Sequence, residues 1–583
     1  MSKLDPITLE VIQHNLSAAA REMGVTLRRT SCSPIFNEGN DYSCGILDAS
    51  AELVSQGAFL PIHLGSLPFS VSYAIESFGL DGFRPGDAVM LNDPYRGGTH
   101  LPDVTIVSPI FFGEELMGFA ANRAHHLDIG GTVPGSFFVE ATENYQEGLR
   151  ITPIKLISEG VIDQHVLTLV LNNCRLPQQM RMDLQSQVSA NATAISRAQA
   201  VTERYGTDTF RAAIRTMLDT SERRTRAVIA SWPDGVYEAS DLIDNDGITP
   251  EPLEVKVTLT VHGDEVTVDF AGTSPQAKGP LNSVLGYTHA GVYMALQAAT
   301  DPDITPNSGC YRPIRIQAPE GTVVNPRFPA ACTGGNEVSI IVYNAVFRAL
   351  ATIPTDGPHP KIMACDHGSS NNLLIAGREP ETDARYVFYE YPEGGWGANA
   401  DRDGLSAVWS IAGNTWNIPV EAIERRFPIR VERYELRCDS GGPGRHRGGL
   451  GIRRDYRVLD HDAELTILGN RAVAPPWGLD GGHHGGAADY LIDAGTDRER
   501  PAAPVLRSKG SMIELESGTV VTQLTAGGGG FGDPIRRDAD AVASDVAAGY
   551  VSSAQAERVY RVALDRDGSV DVARTAELRE GGG

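Results

Sequence analysis

Residues 92–131 read NDPYRGGTHLPDVTIVSPIFFGEELMGFAANRAHHLDIGG. His100 and Asp103 stand three apart just before the apolar run Val104–Val107, and His125-His126 follow a second apolar stretch ending in Gly118–Asn122. Two adjacent strands, each with a ligating side chain at its end, would bring these groups together. Imidazole nitrogen with carboxylate oxygen suits zinc, manganese or ferrous iron better than a thiolate-seeking metal. The competing reading is a polar loop beside a sheet, because an H-x-x-D and a distant His arise easily in a chain with 14 His.

Upstream, Ile7, Leu9, Ile12, Leu16, Ala19, Met23 and Leu27 recur every three to four residues, which predicts an amphipathic helix from Pro6 to about Thr30. Arg28-Arg29 complement the negative end of its dipole. Cys44–Leu47 is strand-like, and Asp41 precedes it in an N-E-G-N-D segment that reads either as a turn or as a ligand-bearing loop. A helix is expected over Leu67–Phe78, with His63 before it read as a loop residue or one supporting the ligands rather than as a ligand, and short strands over 86–91 and 154–157.

Downstream, 180–205 and 208–231 have helical periodicity, and Trp232–Gly235 stops the second helix. Leu253–Phe270 alternates apolar and polar residues about His262-Gly263-Asp264, predicting a β-hairpin. Helices are expected over 286–298 and 338–351, the latter preceded by Gly335-Asn336-Glu337. The segment 390–404, dense in glycine, aromatic and acidic residues, reads equally as a substrate-contacting or a plain surface loop. Strands around 431–436, 452–458 and 463–467 alternate with Gly-rich turns. The glycines of Thr525–Pro534 permit a ligand to approach the backbone closely. Helices follow over 539–548 and 553–560, then a tail expected to fray.

These patterns predict an α/β (mixed α+β), multidomain fold with mixed sheets, flanking helices and a β-rich C-terminal domain. The expected divisions are 1–232, 233–428, 429–538 and 539–583. At 583 residues the chain is long enough for several cores.

A net charge of −24 disfavours nucleic acid, whose binders need a concentrated basic surface. The sequence has no apolar run of membrane-spanning length, and MSKLDPITLEVIQ lacks a signal-peptide pattern, so a cytoplasmic location is expected without membrane association. Seven Cys without a C-x-x-C pair argue for reduced thiols, leaving His and carboxylate to hold any metal. No Gly-Lys pair occurs, which excludes a Walker-type phosphate loop, and no G-x-S-x-G elbow is present. ATP used with this chain therefore belongs on another subunit.

The segments NEGNDYS (37–43), NDPYRGGTHLPD (92–103) and AHHLDIGG (124–131) together closely resemble the hydantoinase B family. That family includes one half of 5-oxoprolinases and a large subunit of acetone- and acetophenone-type carboxylases. EGLRI (147–151), Gly309–Ile314 with Asn325-Pro326, and GGGGFGDP (527–534) extend the likeness over about 5–560.

The resemblance implies that Asp41, His100, Asp103 and His125 bind one divalent metal ion, zinc or manganese, with iron as a further option. His126, Asp128 and Glu147 are candidates for residues around the ligands; His126 is placed there because adjacent strand side chains point to opposite faces. It further implies a hydantoinase A-type partner carrying ATP and Mg, in a hetero-oligomer such as (AB)2. The implied reaction is that of an ATP-dependent cyclic amidase, in which metal-bound water attacks an amide activated by phosphorylation on the partner. The alternative is a subunit of an acetone- or acetophenone-type carboxylase; length favours the amidase over acetone carboxylase and leaves other carboxylase relatives open. A scaffold holding a structural metal is the non-enzymatic reading.

Overall fold

The computed structural model describes residues 4–354 and 361–580. The expected first helix spans Pro6–Thr30, with the Asp5 side chain accepting from the Thr8 amide at its start. It packs its apolar face, including Ile12, Leu16 and Met23, into the main core.

Seven strands follow: β1 (Tyr42–Leu47), β2 (Leu53–Gln56), β3 (Ala88–Leu91), β4 (Asp103–Phe112), β5 (Glu115–His125), β6 (Ile154–Ser158) and β7 (Val161–Ile162). They form one sheet in the order β2-β1-β5-β4-β3-β6-β7, antiparallel at every junction. β4 and β5 are the hairpin of the quoted stretch, and their tight turn uses Gly113 at φ 61°. Both faces of β4 are covered. Val104 and Ile106 pack with Leu184 of helix Pro177–Tyr205, while Val107 packs with Leu67 and Val71 of helix Pro61–Phe78. Burial on both sides explains apolar residues at odd and even positions of the strand.

The helix Pro61–Phe78 begins six residues before the expected Leu67, so His63 lies in its first turn rather than in a loop. Gly65 and Pro68 read locally as breakers. Pro61 at the start suits a helix N-terminus, and tertiary packing tolerates Pro68 inside it. Gly65 allows helix Leu285–Ala299 to pass close by: a Cβ there would stand 2.9 Å from the Ala290 Cα.

The next strands are β8 (Gly235–Ile243), β9 (Leu253–His262), β10 (Glu265–Asp269) and β11 (Ile314–Gln317), ordered β11-β10-β9-β8. β9 and β10 are the expected hairpin, and β11 adds in parallel, making this sheet mixed. The remaining strands are β12 (Asn372–Arg378), β13 (Arg385–Glu390), β14 (Ile429–Leu436), β15 (Ile452–Val458), β16 (Ala463–Leu468), β17 (Asp489–Ile492), β18 (Arg500–Pro501), β19 (Lys509–Leu515) and β20 (Val520–Leu524). They make two antiparallel sheets, β13-β12-β16-β19 and β14-β15-β20-β17-β18.

Hydrogen bonding of β12 to β16 carries one sheet across residue 428, so a domain boundary there does not separate the central region from the Gly-rich strands. Likewise the main core runs from Ile12 to Leu468, past the division at 232. Turn-rich spacing marks changes of direction in the chain, and strand pairing crosses them. Residues after 538 hold a small core of their own around Val542, Val551 and Tyr560, and Val572–Glu580 is helical where a frayed tail was expected. Residues 581–583 of that tail lie outside the described residues.

Gly527–Gly530 approach other backbone, not a ligand. The amide of Gly528 donates to the Gly449 carbonyl, Gly442 donates to the Gly528 carbonyl, and Gly529 donates to the Cys365 carbonyl. Glycine-bearing segments around 395–397, 441–449 and 482–486 thus enclose the run. A Cβ on Gly528 would lie 2.0 Å from the Trp396 carbonyl oxygen. Replacing Gly528 by Ala is expected to destabilise the fold by about 3 kcal/mol or more, because backbone rather than a flexible side chain must move. Gly286→Ala, whose new Cβ finds nothing nearer than 3.5 Å, is the control, with both measured by denaturant unfolding.

Candidate metal centre

Strand register assembles the centre. Asp103 opens β4 directly opposite His125, the last residue of β5. On the other side of β5, the His125 amide donates to the Asp41 carbonyl at 3.1 Å, next to the start of β1. His100 is brought alongside by the turn in which the Asp103 amide donates to the His100 carbonyl, 3.0 Å away.

Among the described residues, His100, Asp103 and His125 form a buried group whose donor atoms lie within 4.8 Å of one another, the spacing a metal ion bridges. Asp103 Oδ1 is 3.1 Å from His100 Nε2 and 3.3 Å from His125 Nδ1, and the two nitrogens are 3.1 Å apart. Asp41 stands outside this group but lines the same cavity, and its buried Oδ1 has no hydrogen-bond partner among the described residues. Two carboxylates, one with an orphaned oxygen, and two imidazoles facing a common cavity fit a divalent cation of the nitrogen- and oxygen-binding class.

The electrostatics agree with that fit. Burial holds the His125 pKa down at about 4, keeping the ring neutral and its lone pair available near pH 7. Burial alone would raise the Asp103 pKa; the charges of His100 and His63, with hydrogen bonds from His100 and His125, outweigh it and hold the carboxyl well below its usual range. Asp41 moves the opposite way: burial first, then the Asp103 charge, pushes its pKa well up. A cation between the two carboxylates would remove that repulsion.

Of the residues predicted to surround the ligands, Glu147 reaches one indirectly. Its carboxylate accepts from the amides of Cys332 (2.8 Å) and Thr333 (2.6 Å), and the Thr333 carbonyl lies 3.1 Å from His100 Nδ1. That carbonyl turns His100 Nε2 toward Asp103. His126, just past the end of β5, points away, its Nε2 3.0 Å from Gln187 Oε1. Asp128 is tied to the amides of Gly130 and Gly135 and to Arg175, and it does not line the cavity.

Sequence reasoning missed Tyr287 at the centre and left His63 as either a loop residue or one supporting the ligands. His63 Nε2 is 3.3 Å from Asp103 Oδ2, and the Tyr287 hydroxyl donates to the same oxygen at 2.9 Å. The opposite wall comes from Asn336, Ser370, Asn372, Tyr389, Tyr391 and Trp409. Tyr391, at the start of the 390–404 segment, is buried in this wall, while Asp401 and Arg402 are exposed. The cavity between the walls is about 30 Å³.

Relatives with names of their own span the whole chain. The B-type component of the putative D-/L-hydantoinase of Pseudomonas sp. strain NS671 is 33% identical, over 100% of this chain and 99% of that one. The beta chain of the caprolactamase of Pseudomonas jessenii is 32% identical over 99% of both. A chain in the crystal structure of ATP-dependent caprolactamase from P. jessenii matches with a TM-score of 0.91 at 29% identity, covering 99% of this chain and 100% of that one. Acetone carboxylase in its nucleotide-free structure shares the fold, with a TM-score of 0.88 at 21% identity over 99% of this chain and 83% of that one. The family model described as hydantoinase B/oxoprolinase matches residues 5–534, and the chain belongs to that family.

Proposed function

We propose that this chain is the metal-binding subunit of an ATP-dependent cyclic amidase that works with an ATP-binding partner of the hydantoinase A type. The observation that carries the reading is a buried His100–Asp103–His125 group that, with Asp41, lines a common cavity of about 30 Å³. A structural zinc more often uses Cys in a closed site. The relatives' names support the substrate class, since hydantoin and caprolactam are both cyclic amides.

Asp41, His100, Asp103 and His125 would hold zinc, manganese or iron. Such an ion supplies Lewis acidity, lowering the pKa of water near neutral pH. The chain's own residues prepare the place for it. Thr333 orients His100, burial keeps His125 neutral, and Phe137, packed against both imidazole rings, holds them apart from solvent. The Ser370 hydroxyl, which accepts from the Asn336 amide, offers a polar group to a substrate beside Tyr391 and Trp409, while the Asn372 amide is held by Glu337, Leu468 and Tyr389. An unstrained amide carbonyl is a poor electrophile, and phosphorylation of its oxygen improves it. That step belongs to the partner, because this sequence has no Gly-Lys pair from which to build a phosphate loop.

The test is ATP consumption and ring opening by the chain with its partner on hydantoin, 5-oxoproline, caprolactam and acetone, with and without bicarbonate. Ring opening of a cyclic amide independent of bicarbonate is the expected result; bicarbonate-dependent turnover of the ketone would replace it with the carboxylase reading. His100→Ala and Asp103→Ala are expected to lower turnover on the order of a thousandfold, the scale of losing metal assistance. Chelation should abolish activity in the parent protein and zinc or manganese should restore it. Variants that kept both metal and turnover would overturn the site.

A further inference from the structure

The two oxygens of Asp103 face different partners. Its Oδ2 accepts from the Thr99 hydroxyl at 2.6 Å and from the Tyr287 hydroxyl at 2.9 Å, and His63 Nε2 lies 3.3 Å from the same oxygen. A carboxylate oxygen offers about two lone-pair sites. The two hydroxyls therefore occupy Oδ2, and His63 closes the remaining approach. Oδ1 is the atom turned toward His100 and His125.

We propose that Tyr287 and Thr99, with His63, are positioning residues that fix Asp103 as a one-oxygen ligand, presenting Oδ1 and withholding Oδ2 from the metal. The inference rests on the metal reading given above. Tyr287 and His63 are themselves anchored. Tyr287 is 1% exposed, its carbonyl accepts from the Ser339 hydroxyl at 2.7 Å, and its ring packs beside Gly335. His63 rides on helix Pro61–Phe78, whose Ser66 and Ser70 hydroxyls accept from the guanidinium of Arg123 in β5. Arg123 is fully buried, and its side chain also donates to the Thr105 hydroxyl and the Gly97 carbonyl. The helix carrying His63 is thereby bolted to the strand carrying His125.

The consequence lies in metal affinity and coordination, not in fold. A freed Oδ2 would let Asp103 rotate or chelate with both oxygens, and removing a partner that orients a ligand typically weakens metal binding by about 10–100-fold. The experiment titrates Mn²⁺ into the full chain by calorimetry and records the visible ligand-field spectrum of the Co²⁺-loaded protein. It compares the parent with Tyr287→Phe and Thr99→Val, each removing a hydroxyl with little change in shape. Tyr343→Phe, which removes a buried hydroxyl without a hydrogen-bond partner among the described residues, is the control.

Expected are a Kd raised about 10–100-fold and a shifted Co²⁺ spectrum in both clamp variants, with Tyr343→Phe like the parent. If the parent binds and both clamp variants match it within about twofold with an unchanged spectrum, the clamp is overturned while the metal reading stands. If the parent itself binds no divalent ion, the metal reading fails and the clamp with it. Should one clamp variant not fold, the other decides.

Discussion

The pairing of β5 with both β1 and β4 is the constraint on which the centre depends. It sets Asp103 opposite His125 and the Asp41 carbonyl against the His125 amide, so three elements present their ends at one point. Side chains alternate along a strand, and a slip of one residue would send His125 to the face now taken by His126. The slip is resisted from both sides, since Val104 and Ile106 enter one apolar cluster and Val107 another. Packing of ordinary aliphatic residues thereby sets the position of the ligating ones.

Concentrating carboxylates and imidazoles in a buried place is costly unless each finds partners. Here nearly all do. Glu147 is satisfied by two amides and the Asn144 side chain, Asp103 Oδ2 by two hydroxyls, and Arg123 by hydroxyl and carbonyl oxygens. Buried atoms left over beside the cavity include Asp41 Oδ1 and His63 Nδ1. Unpaired polar groups in a protein interior call for an explanation, and here it is a site prepared for something from outside.

The second wall is supplied by a different device. Glycine segments from several stretches of the chain pack backbone against backbone, and Cys365 and Trp396 take part in that packing. These are near neighbours in sequence of Ser370, Asn372 and Tyr391. Close contact without side chains leaves little freedom for the loops that emerge from it. The foundation of the wall is main chain.

The sequence by itself determined the elements whose signals are local: the helix over Pro6–Thr30, the β9–β10 hairpin, and the β4–β5 hairpin with His100, Asp103 and His125. Periodicity reports which side a residue faces within its own helix or strand, and motif order carried the family likeness. Neither reports what comes to lie opposite. Tyr287 is 184 positions from Asp103. His63 sits in a helix start masked by Gly65 and Pro68, and the glycine run reads as a ligand cradle until its neighbours are known. Those assignments came from the tertiary structure, because contact between distant residues is set by how all the layers pack, a property no local pattern encodes.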